Sequence, residues 1–224
     1  DCIAGKTSAR LKLCVESVVR DRKPDLVVVL GSCLIEMIGE DIAASLAGLS
    51  RRLDTPIRFL KTSGLKCSPE QTMLDMLWSE LADWVLRREE RAGRSRDAAG
   101  GEVFVFGLPA SLGPPGELRS VLDHCGLKLN VAFPASASLE DWMRLARAQA
   151  VFVVDRSAYP RVTGRLEAGG IDVIEVPLPI GLGQSRTFFD RIAGRFGKQA
   201  EARKALSGAV TAVRRDIASF RKKY

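Results

Sequence analysis

Between residues 102 and 176 four short apolar runs recur every 22–26 residues, with helical patterns between them. Residues 102–106, 128–132, 150–154 and 172–176 read as strands. The intervals near 115–125, 138–147 and 160–168 read as helices, and two more (about 185–196 and 199–222) close the chain. Strands joined this way pair in parallel through right-handed βαβ crossovers, so both faces of the sheet are covered by helices. Residues 102–224 are therefore predicted to form one complete Rossmann-like domain.

The first 88 residues follow the same grammar with fewer elements. A helix over 5–22, a strand over 25–30, a helix over 40–52, a short strand over 57–60 and a long helix over 69–88 are expected. That last helix is apolar on several sides, through Met73, Met76, Leu77, Trp78, Leu81, Trp84 and Val85, which predicts burial between layers or subunits. Two strands make a poor independent sheet. Residues 1–88 thus read as a partial α/β domain, and 89–101, charged and then Ala-Ala-Gly-Gly, as a linker. The predicted fold class is α/β: Rossmann-like parallel sheets flanked by helices, in two domains, the first incomplete.

At 224 residues the chain can bury two modest cores, and 46% apolar with 27% charged residues is ordinary for a soluble protein. No apolar run approaches a membrane span, and no secretory signal opens the chain. Its start at Asp1 rather than Met reads as that of a fragment. Five scattered cysteines without a Cys-x-x-Cys pair fit a reducing cytoplasm, not a disulfide framework or a zinc site. The net charge of +7 lies mostly in the last 27 residues, which carry a net of +6. Leu206, Val210, Val213, Ile217 and Phe220 form one apolar stripe there, so a docked terminal helix with a basic back is expected. Without interleaved aromatics or a recognition motif, no nucleic-acid partner is expected.

The richest chemistry lies at Leu26-Val27-Val28-Val29-Leu30-Gly31-Ser32-Cys33, followed by Gly39-Glu40-Asp41-Ile42 and a helical pattern. An apolar strand ends in a thiol-bearing turn at the edge where open α/β sheets present chemistry. Taken by position, an isolated cysteine is more often a buried structural thiol. The surrounding stretch, however, resembles the strand-Cys signature of the nitrogenase component 1 superfamily: catalytic nitrogenase subunits, their cofactor-assembly scaffolds, and light-independent protochlorophyllide and chlorophyllide reductases. The resemblance implies an iron–sulfur ligand at Cys33, framed by Gly31 and Ser32. Thr62-Ser63-Gly64-Leu65-Lys66-Cys67 follows the second strand and is similar to a family loop bordering the cluster or substrate cavity. Ser63 and Gly64 become candidate contacts, and Cys67 is either a second ligand or a bystander. Pro177-Leu178-Pro179-Ile180-Gly181 through Phe189 resembles a further family segment. Gly31-Ser32-Cys33 with Glu36 leans toward the protochlorophyllide reductase type, whereas Ile38-Gly39-Glu40-Asp41 leans toward nitrogenase subunits and scaffolds.

Two other signals carry less. Gly5-Lys6-Thr7-Ser8 is similar to the end of a phosphate-binding loop but lacks its first glycine and preceding strand, so a P-loop NTPase is the least favoured reading. His124 is the only histidine, which disfavours a histidine metal site or a Ser-His-Asp triad. The resemblance implies a subunit, or fragment, of a nitrogenase-like iron–sulfur oxidoreductase. Electrons would come from an ATP-dependent iron–sulfur reductase, and the cluster would be shared with missing regions or with a homologous subunit in a heterotetramer-like assembly or homodimer. The alternative is a non-catalytic cofactor-assembly scaffold or Rossmann-like binding module.

Overall fold

In a computed structural model, residues 7–32, 35, 41–61, 72–93, 102–109, 116–133 and 137–223 are described. The chain divides into two compact units, Asp1–Glu80 and Leu81–Tyr224. The first contains α1 (Thr7–Arg22), β1 (Val27–Gly31), α2 (Ile42–Leu53) and β2 (Ile57–Lys61). Helix α3 (Met73–Arg91) runs across the division. The second unit continues with β3 (Glu102–Phe106), α4 (Gly116–His124), β4 (Lys128–Phe133), α5 (Leu139–Leu145), β5 (Ala150–Val154), α6 (Pro160–Ala168), β6 (Asp172–Val176), α7 (Gly181–Arg195) and α8 (Gln199–Lys223). The fold is α/β with parallel sheets flanked by helices, as the alternating pattern requires.

In the first unit β1 and β2 pair in parallel, Val27 opposite Ile57 through Gly31 opposite Lys61. Helices α1 and α2 close one face: Val15, Ile42, Leu46, Leu49 and Ile57 are buried, with Val27, Val29, Ile35 and Phe59 packed against them. A Ser8–Ser45 hydroxyl hydrogen bond of 2.9 Å and a Glu16–Arg52 ion pair tie the two helices together.

The second unit holds four parallel strands in the order β4-β3-β5-β6. Alternate residues of β3 face opposite sides. Val103 and Val105 join a core with Leu122, Phe152, Phe188, Ile192 and Ala202. Phe106 faces Trp142 and Tyr159 edge-on, with centroids 6.1 and 4.9 Å apart. Burial on both faces is why these strands read as unbroken apolar runs. Helix α5 starts with a reciprocal cap: Ser138 Oγ accepts from the Asp141 N–H at 3.2 Å, and Asp141 Oδ2 accepts from the Ser138 N–H at 2.9 Å.

Two expectations change. Among the described side chains of α8, docking is confined to the first half, where Ala202 is buried and Leu206 packs on the core; Val213 and Phe220 are 46% and 66% exposed. A helix of 25 residues is about 37 Å long, roughly twice a five-residue strand, so it outruns the layer it packs on. On α3 the buried positions are Asp75, Ser79, Ala82, Trp84, Val85 and Glu89, whereas Met73 and Leu74 are exposed. A buried carboxylate needs a partner, and Glu89 has the Arg147 guanidinium 3.5 Å away.

Candidate functional site

Because β1 and β2 are parallel and in register, Gly31 and Lys61 end at the same sheet edge. The segments after them, 32–40 and 62–71, therefore leave from neighbouring strand ends about 5 Å apart. Gly31 is buried and Ser32 exposed. The Ser32 carbonyl accepts from the Ile35 N–H at 3.1 Å, and Ile35 packs back onto the first unit's core. Cys33, Ser63, Gly64 and Cys67, all singled out in the sequence, lie outside the described residues.

The chain re-enters at Asp41, whose carboxylate accepts from the Ala44 N–H at 3.0 Å and caps α2. A helix N-terminus carries partial positive charge, which favours an anionic group nearby. Ile42 behind it is 1% exposed, which fixes that end of the helix. Gly31 adds a steric feature absent from the motif itself. A Cβ built on it would lie 2.6 Å from Phe59 Cζ and 3.3 Å from the Leu60 carbonyl oxygen. Phe59 stands 28 positions downstream, and only the strand register brings it there.

In the second unit, the strand order turns back on itself at β3 and β5, whose carboxyl ends form the usual crevice of such sheets. Gly107, directly after β3, has φ +87° and would place a Cβ 2.4 Å from the Val154 carbonyl oxygen. Asp155 after β5 is left-handed at φ 56°, and its carboxylate accepts from Ser157 Oγ at 2.6 Å. Neither residue was singled out in the sequence; the available signal for Gly107 is a glycine closing an apolar run, and Asp155 carries none. The Pro177–Phe189 segment turns through an Ile180 N–H to Leu178 carbonyl hydrogen bond of 2.8 Å and enters α7 at Gly181, φ +74°. Its two phenylalanines are core, while Ile180 and Leu182 are exposed.

Cys14 is an exposed free thiol, whereas Cys125 and the histidine are held by backbone carbonyls. Cys125 is 2% exposed, and its Sγ donates to the Val121 carbonyl at 3.2 Å. Burial, reinforced by the Glu201 carboxylate and opposed by Lys198, pushes that thiol's pKa up, which keeps it protonated and unreactive. His124 Nδ1 lies 2.6 Å from the Ser120 carbonyl oxygen. Among the described residues no group of three or more His, Cys, Asp or Glu could hold a metal ion, and no helix is long and apolar enough to cross a membrane. A cavity of about 230 Å3 lies at the amino ends of β3 and β5, lined partly by Glu102, Arg144, Arg147 and Arg195. Those arginines are paired with Glu140, Glu89 and Asp172, so the cavity is an ion-paired base at the amino-terminal edge of the sheet.

Two units of parallel strands flanked by helices place the chain in the α/β class. The chain belongs to the nitrogenase component 1 type oxidoreductase family, whose model matches residues 1–223. Two solved structures, "Nitrogenase Cp1 at pH 6.5" and "Nitrogenase Cp1 at pH 5", superpose with a TM-score of 0.75 each, at 17% and 18% identity. Each match covers 100% of this chain and 43% or 45% of the solved chain, so this chain spans less than half their length. No curated protein matches the sequence.

Proposed function

We propose that this chain is the part of a nitrogenase-like oxidoreductase subunit that supplies Cys33 as one ligand of an iron–sulfur cluster. The reading is carried by the paired carboxyl ends of β1 and β2, at Gly31 and Lys61, in a chain of this family. A Gly31 that leaves no room for a Cβ, and a capped helix N-terminus at Asp41, suit a turn presenting a thiolate. The donor set fits a share of a cluster: a [4Fe–4S] group takes four ligands, and this edge offers Cys33 and, as a second candidate, Cys67. The others come from a homologous subunit or another part of the protein. Bound there, the cluster would accept and pass single electrons, delivered by an ATP-dependent iron–sulfur reductase.

This chain's own work is to orient. The Ser32–Ile35 hydrogen bond and the Ile35 side chain hold the described residues on either side of Cys33 in the sequence. Ser63 and Gly64 are proposed as further contacts of the same cluster, with Cys67 as the candidate second ligand.

The test is iron and acid-labile sulfide in the intact protein, purified anaerobically with its partner subunit, for wild type and Cys33→Ala. Loss of cluster iron in the variant supports ligation; wild-type iron overturns it. Cluster iron with no substrate reduction in the complete system would favour the scaffold reading over the enzyme.

A further inference from the structure

Gly31 is absent from the positive-φ glycines, so its backbone conformation does not call for glycine. Space does: a Cβ there would meet Phe59 Cζ at 2.6 Å, Phe59 Cε2 at 2.9 Å and the Leu60 carbonyl oxygen at 3.3 Å. Phe59 therefore lays its ring edge across the last residue of β1. Phe59 and Ile35 both pack on the cluster formed by Val15, Ile42, Leu46, Leu49 and Ile57. The end of β1 and the far side of the turn are thus seated on one apolar surface, with Ser32 and Ile35 joined at 3.1 Å between them.

We infer that Gly31 and Phe59 form a positioning pair: the ring edge, seated where a side chain at 31 would be, holds the end of β1 at Gly31 and Ser32, the residues that precede Cys33 in the sequence. A methyl at 31 must displace either the ring from its seat or the end of β1 from β2, and both loosen the Ser32–Ile35 turn. Removing the ring leaves the strand end without its stop and loosens the same turn. Doing both returns a methyl to the space the ring edge vacates, so the two changes compensate. The relevance to cluster binding rests on Cys33 being a ligand; the positioning itself does not.

The experiment measures the rate of Cys33 alkylation by iodoacetamide, mapped by mass spectrometry, in the intact protein before cluster loading. The forms compared are wild type, Gly31→Ala, Phe59→Leu and the double variant, with Gly48→Ala as a control whose new Cβ meets nothing within 4 Å. Each single change is expected to raise the rate roughly two- to tenfold, the population shift of a strained side chain. The double variant is expected to return toward wild type, a non-additive cycle. Cluster iron in the loaded complex should fall in the single variants and recover in the double. Wild-type rates in both single variants, or a double that equals their product, overturn the pairing; if Gly31→Ala does not fold, Phe59→Leu and the double still decide it. Compensated alkylation with iron unaffected by Cys33→Ala would keep the pair and reject the ligand.

Discussion

Gly107 offers the sharpest test of how the second unit is closed. It follows β3 directly, with φ +87°, and a Cβ there would lie 2.4 Å from the Val154 carbonyl oxygen and 3.1 Å from Tyr159 Cε2. Val154 ends β5, which pairs with β3 through Phe106 and Val153, so the obstacle is backbone held in a sheet. For Gly107→Ala the left-handed conformation costs about 1–2 kcal/mol. Relieving the clash by moving strand ends adds about 1–3 kcal/mol, giving ~2–5 kcal/mol in all. Gly181→Ala is the companion, because Gly181 has φ +74° with nothing within 4 Å of a new Cβ. It should lose only the conformational part, about 1–2 kcal/mol. Urea unfolding followed by tryptophan fluorescence measures both, Trp142 lying beside Phe106 in the affected unit. If Gly107→Ala costs no more than Gly181→Ala, the close approach of β3 and β5 is misread.

Gly164 lies inside α6 with open space where a Cβ would go, so Gly164→Ala should raise stability by about 0.5–1 kcal/mol, read as a higher Tm. Ser138→Ala removes the reciprocal cap of α5 and should cost about 1 kcal/mol in the same urea assay. Cys125 governs part of the alkaline limit: burial and the Glu201 carboxylate raise its thiol above the ordinary value of 9.0. Above that value the unfolded chain releases the proton while the folded one holds it, so stability is complete below pH 9 and falls as pH rises. Unfolding free energies at pH 7, 9 and 10 should therefore decline more steeply in wild type than in Cys125→Ala.

The strands at 102–106 and 150–154 were legible in the sequence because both faces of each are buried. Phe104, Phe106, Val151, Phe152 and Val153 are all at 0–1% exposure, and continuous burial leaves a continuous apolar run. The Gly31-Ser32-Cys33 stretch made the family legible because its residue types stand in a recognisable local order, and the family model matches residues 1–223. Local order holds no information about which strand lies beside which. The order β4-β3-β5-β6 follows from how crossover helices cover the two faces, and similar sequence intervals allow other orders. Glu89 on the buried side of α3 was missed for the same reason, since its partner Arg147 comes from α5's end. So was the overhang of α8, where Phe220 continues a stripe whose docking surface has already ended. Phe59 across Gly31 makes the general point: the glycine is visible in the chain, but what it makes room for is set by strand register 28 residues away. Periodicity and turn chemistry are local and survive in one dimension; contacts between distant residues exist only once burial has chosen the packing.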